Sequence, residues 1–72
     1  MNVMSWQNIK MSQGTWFSVK LCPPLENSVV ETKIEDKKGT RNVAKLKLYK
    51  NLWWESDSST YVYYTPTHWR YC

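Results

Sequence analysis

The chain has 72 residues, and ten Lys and Arg against six Asp and Glu give it a net charge of +4. A chain this short forms one domain, buries only about 60% of its unfolded surface and draws roughly 3–5 kcal/mol from a single core, so self-association is expected from size alone. No stretch approaches the ~18 consecutive apolar residues of a membrane span, and the modest basic excess favours anionic partners.

Residues 1–15 carry no clean periodicity and are read as a lead-in, open to either one short helical turn within residues 5–13 or an extended arm. This stretch lacks a basic segment followed by an apolar run, so a cytoplasmic protein is expected rather than a secreted one. The domain proper spans 16–72. WFSVKL alternates, with Phe17, Val19 and Leu21 on one side and Ser18 and Lys20 on the other, the pattern of a strand. Pro23 and Pro24 end it, because proline cannot donate to a sheet ladder.

SVVETKI, residues 28–34, reads as the second strand, with Val30, Thr32 and Ile34 on one face. In EDKKGT, Gly39 supplies the positive φ that a hairpin turn needs. RNVAKLKLYK gives a third strand with Ala44, Leu46 and Leu48 facing in. Lys50-Asn51 reads as a tight turn, LWWE as a short fourth strand and ESDSS as a polar loop. TYVYYT, residues 60–65, is predicted as the fifth strand, ended by Pro66. The spacing predicts a small, mostly all-β domain: an antiparallel meander of four or five short strands, curled or barrel-like.

The two ends of this domain carry a resemblance. The opening Trp16-Phe17-Ser18-Val19-Lys20, the turn Pro23-Pro24-Leu25-Glu26-Asn27 and the close Thr67-His68-Trp69 resemble a small bacterial and phage family catalogued as domain of unknown function 551. The likeness covers about residues 16–70. There are two departures: Arg70-Tyr71-Cys72 stands where members continue into a Met-Pro-Leu-Pro-like tail, and Leu21-Cys22 stands where they have a charged pair. The resemblance implies phage or prophage origin, hence a host-cell cytoplasm, and no established activity.

The core must be aromatic, since five Trp, five Tyr and one Phe each bring about 150–250 Å² of surface to bury. Trp16 and Trp69, one from each end motif, are expected to pack on each other and close the sheet. Trp53 and Trp54 are adjacent, so in a strand they point to opposite faces; one belongs to the core and the other to a surface. Tyr61 and Tyr63 would share a face, and beside Lys45, Lys47 and Arg70 they would make a basic, aromatic surface that stacks rings and neutralises phosphates. His68, the single histidine, is weighed as a strand-fixing residue, a ligand contact and a general base. Cys22 and Cys72 lie too far apart in sequence for a CxxC pair, and with one His they complete no plausible zinc site; free thiols are expected, although a disulfide is geometrically open. KKGTR lacks the spacing of a phosphate-binding loop.

No nucleophile, base and orienting group recur together, so a non-enzymatic binding protein without metal or cofactor is expected. Its ligand contacts would be Trp53, Trp54, Tyr61, Tyr63, His68, Arg70, Lys45 and Lys47. Three binding readings follow: sequestration of a nucleotide-like small molecule as a phage counter-defence protein, cover for a host protein with an exposed Trp as anchor, and single-stranded nucleic-acid binding. A small nuclease or cysteine hydrolase is the enzymatic alternative.

Overall fold

The computed structural model describes residues 14–72. They form five antiparallel strands in one unclosed sheet: β1 (Phe17–Ser18), β2 (Val29–Asp36), β3 (Gly39–Tyr49), β4 (Leu52–Glu55) and β5 (His68–Tyr71). This is the small all-β fold that the sequence predicts. The order across the sheet is β1-β5-β2-β3-β4. β2, β3 and β4 make the meander, and β5 returns across the molecule to lie between β1 and β2. The helical turn or extended arm read in residues 5–13 lies outside the described residues. No helix among the described residues is long and apolar enough to cross a membrane.

The hairpins follow from their turn residues. Lys50 and Asn51 both adopt positive φ, 51° and 67°, in a two-residue loop whose twist matches that of the flanking strands. Lys50 is a poor residue for this conformation, and the Glu26 carboxylate accepts its N–H at 2.8 Å. Gly39, at φ 113°, closes the β2–β3 turn. Within that hairpin, Thr32 pairs with Ala44 but Ile34 pairs with Arg41. Lys33 therefore opposes two residues, Asn42 and Val43, in a bulge, and Asn42 takes the left-handed conformation (φ 55°) that asparagine tolerates.

Register partners share a face, which sorts the sheet into two sides. Phe17, Trp69, Tyr71, Val30, Thr32, Ala44, Leu46, Leu48 and Trp53 line one. Val30, Leu46, Trp53 and Trp69 are buried there, with Phe17, Val19, Ala44, Leu48, Val62 and Tyr64 packed around them. Thr32 is fully buried and donates its hydroxyl proton to the Ala44 carbonyl at 2.9 Å. This is the satisfied form in which a buried polar group is stable.

Among the described residues no second sheet covers this apolar face; two irregular connections do. In residues 19–28, Val19 packs on the core, the Cys22 carbonyl accepts the Trp69 indole N–H at 2.7 Å, and Asn27 N–H donates to the Leu48 carbonyl. The second connection crosses from β4 to β5. Val62 and Tyr64 are half-buried and Pro66 is buried, while Tyr61, Tyr63 and Thr65 between them are exposed.

Three expectations are corrected here. The predicted fifth strand over 60–65 is this strap. It holds only an isolated Trp54–Tyr61 bridge, and the true fifth strand is His68–Tyr71. Its alternation is real, but it reports an extended chain buried on one side, which a period of two cannot distinguish from a hydrogen-bonded strand. The first strand stops at Ser18, whose carbonyl accepts the Cys22 N–H and whose hydroxyl accepts the Leu21 N–H. That turn carries Leu21 out of the core to 84% exposure. Finally, Trp16 does not pack on Trp69. Phe17 is the register partner of Trp69, with ring centroids 4.8 Å apart, so alternation sends Trp16 to the other face.

Leu46→Ala tests the placement of the core. Removing a fully buried Leu destabilises by about 2–5 kcal/mol, comparable with everything a domain of this size holds. In chemical denaturation Leu46→Ala should therefore lose most or all of its cooperative transition. Val43→Ala, at an exposed position, should stay within about 0.5 kcal/mol of the parent. Equal effects would contradict this core.

Candidate functional site

The second face of the sheet is built from the residues that alternate with the core. One row across the strands is Arg70, Glu31 and Lys45; the next is Val29, Lys47 and Trp54, continued by the bridge from Trp54 to Tyr61. Both long connections cover the other side.

Two shallow clefts lie on this face. The first, about 250 Å³, is lined by Lys47, Tyr49 and Trp54 with Asn27 and Ser58 at its rim. The second, about 280 Å³, is lined by Glu31, Lys45, Arg70, Tyr71 and Cys72. Lys45 and Lys47 are two positions apart on β3, about 6.6 Å along the strand, so one cation stands in each cleft.

Trp54 is held in place. Its indole N–H donates to the Tyr49 carbonyl at 3.3 Å, and Tyr61 meets its ring edge-on at 5.4 Å. Such aromatic contacts fix orientation as well as burying area.

The charges on this face are of two kinds. Arg70 Nε donates to Glu31 Oε1 at 2.7 Å, and Lys33 Nζ stands 2.6 Å from Glu35. The Lys33 ammonium, by hydrogen bond and by charge, holds the Glu35 carboxyl below its usual range. Lys45 and Lys47 make no ion pair among the described residues, although Lys47 adds slightly to the lowering of the Asp57 carboxyl, which comes chiefly from Ser59. Lys50, with its ammonium 5.3 Å over the Tyr49 ring, likewise makes no ion pair among the described residues, so these three lysines are the cations open to an incoming anion around these clefts.

No family model, no curated protein and no solved structure matches this chain. The site is accordingly read from its geometry.

Of the eight residues expected to contact a ligand, Lys45, Lys47, Trp54, Tyr61 and Arg70 come together on this face. Trp53 does not: it is 4% exposed in the core, the inward half of the Trp pair. Tyr63 is 94% exposed on the outer side of the strap, where Tyr64 meets it edge-on at 5.6 Å. It is not part of the row with Lys45 and Lys47, because the strap crosses the opposite side of the sheet.

His68 pairs with Ser18 and Lys33 in the ladder, one row beyond Arg70 on this same face, but lines a separate, more apolar cleft of about 540 Å³ with Val19, Lys20 and Pro66. Its Nδ1 is 2.8 Å from the Thr67 hydroxyl, which also accepts the Glu35 N–H at 2.8 Å. Thr67 N–H donates to the Lys33 carbonyl. The Thr67-His68 pair thus anchors the strap to β2 as β5 begins. Cys22 and Cys72 are free and exposed. Tyr49, Asn27 and Glu31 join the site without having been singled out in the sequence; the hairpin register, once known, places Tyr49 two residues beyond Lys47 on the same face.

The basic run at the hairpin tip is a structural turn. Asp36 accepts both guanidinium nitrogens of Arg41 at 3.0 Å and the Lys38 N–H at 2.9 Å. These bonds lower its carboxyl to about 2 from 3.8. Since the folded carboxyl is the stronger acid, the pair's contribution to stability is present above about pH 3.8 and is lost as the pH falls towards 2. A carboxyl-carbon NMR titration of Arg41→Met should bring the Asp36 midpoint back towards 3.8, with little change in stability at neutral pH because the pair is exposed. An unmoved midpoint would contradict this assignment.

Proposed function

We propose that this is a non-enzymatic binding protein whose open sheet face takes an anionic, planar-ring ligand of the nucleotide class. One observation carries the reading: Trp54 and Lys47 are register partners, and Lys45 stands on the same face in the adjoining cleft. A ring laid against Trp54 and Tyr49 would put its phosphates beside Lys47, Lys45 and the outer nitrogens of Arg70. Stacking supplies affinity with little demand on ring identity, and the lysines select for negative charge. Ring stacking and charge selection by fixed groups define a binding surface and require no group that makes or breaks bonds.

In this reading the resemblance of the two end motifs to a phage and bacterial family supplies the setting. A small phage protein that holds a nucleotide-like molecule would act by sequestration, as a counter-defence protein in the host cytoplasm. The face is shallow, and self-association would enclose it, in keeping with the tendency expected from the chain's length.

Amide-shift titration of the full chain with adenosine triphosphate tests the reading. Shifts should cluster at Lys45, Lys47, Tyr49, Trp54 and Arg70 and saturate, and inorganic triphosphate alone should bind more weakly. Trp54→Ala should weaken binding by about fivefold or more, since one stacked base contributes about 1–3 kcal/mol. Shifts confined to Lys37, Lys38 and Arg41 at the hairpin tip, or no shifts at millimolar nucleotide, would overturn it.

A further inference from the structure

The proposed nucleotide site uses one half of the open face, and the other half carries a second aromatic group. Trp16 precedes β1 by one residue. The pairs Phe17–Trp69 and Ser18–His68, extended by one step, set Trp16 opposite Arg70. Its half-buried ring lies there, with the Lys33 ammonium 4.1 Å and the Arg70 guanidinium carbon 4.5 Å from its centroid. The row across the face is therefore Trp16, Arg70, Glu31 and Lys45, and the row beside it ends in Lys47, Trp54 and Tyr61.

Two features of this arrangement exceed what a mononucleotide needs. First, the aromatic groups sit at opposite ends of the face. Trp16 belongs to the β1 side and Trp54 to β4, four strand spacings or about 19 Å apart. Second, cations recur along the ground between them, Arg70, Lys45 and Lys47, with Glu31, paired to Arg70, as the acid in the row. Arg70 uses only Nε on Glu31, and its two terminal nitrogens make no hydrogen bond to a described residue. Lys45 stands two strand spacings from Arg70, about 9.6 Å, and Lys47 about 6.6 Å further along β3. Lys45 and Arg70 both line the second cleft, and a phosphate taken by Lys45 or by the terminal nitrogens of Arg70 can be an internal phosphodiester as readily as a terminal group.

We infer that the open face is a platform for single-stranded nucleic acid, about three or four nucleotides long, at the low end of the site sizes such platforms have. This rests on the nucleotide-class reading above and extends it. One base stacks on Trp54 beside Tyr61. Another continues the stack of Arg70 on Trp16. Lys45, Lys47 and the terminal nitrogens of Arg70 take the phosphates between them. Glu31 tethers Arg70 so that its plane stays against the Trp16 ring.

Calorimetric titration of the full chain with thymidine monophosphate and with tetrathymidylate separates the possibilities. The tetranucleotide should bind at least about tenfold more tightly than the monophosphate. With two or three phosphates neutralised, its log affinity should fall against log salt with a slope of about −1.4 to −2.1. Trp16→Ala should weaken the tetranucleotide about tenfold and leave the monophosphate within about twofold, while Trp16→Phe should retain most of the tetranucleotide affinity; amide spectra of both variants check the fold. Equal affinity for the two ligands, or equal loss of both on Trp16→Ala with the fold intact, would overturn the strand platform and leave the nucleotide reading standing. Binding of neither ligand would remove both.

Discussion

The structure depends on one constraint. A sheet this small has a single apolar face, and the chain has no second layer of secondary structure among its described residues to lay on it. Most domains solve the same problem with packed helices or a second sheet. Here the cover is made of two irregular connections that cross the same side, one running from β1 to β2 and the other from β4 to β5. Their anchors are specific. The Trp69 indole N–H holds the first through the Cys22 carbonyl at 2.7 Å. The second is pinned where Thr67 N–H and its hydroxyl meet the backbone of Lys33 and Glu35. With both connections committed to one side, the reverse face among the described residues is left to lysines, rings and the Arg70–Glu31 pair.

The same constraint explains the division of the aromatics. Trp53, Trp69, Phe17 and Tyr64 serve the seal, and Trp16, Trp54 and Tyr61 stand on the reverse face. Adjacent residues are split by the pleat: Trp53 from Trp54, and Trp16 from Phe17. The surplus of rings over what one small core can hide is thus distributed by strand alternation, and what falls outside is already partly ordered. Tyr61 braces Trp54, and Arg70 and Lys33 brace Trp16. Groups fixed before binding lose less freedom on binding, which favours affinity at a shallow site.

How much of this the sequence made legible depends on whether a signal is local. The three meander strands were readable because alternation, Gly39 and Lys50-Asn51 mark both faces and both turns. Membership of Lys45, Lys47 and Trp54 in one face follows from the same alternation, once the two-residue turn at 50–51 sets the register. The strap was not readable as a strap: Val62, Tyr64 and Pro66 are buried by a crossing whose direction depends on where β5 inserts, which is a long-range fact. That misreading also put Tyr63 beside the lysines. Trp16 was expected in the core because an indole at each end of a domain suggests mutual packing, whereas its position is set by Phe17, one residue away, taking the partner site on Trp69. Glu31 gave no signal at all, since its role exists only where β5 brings Arg70 alongside.

The central claim is that, among the described residues, one side of the sheet is sealed and the other is bare in the free protein. Solvent paramagnetic relaxation measured with a soluble, uncharged gadolinium chelate on the full chain tests this most directly. The account predicts strong broadening at the side chains of Trp54, Tyr61, Lys45 and Lys47, and protection at Trp53, Trp69, Val30 and Leu46. If Trp54 and the two lysines were as shielded as Trp53, the reverse face would be covered in the free protein, and the account would be contradicted at its root.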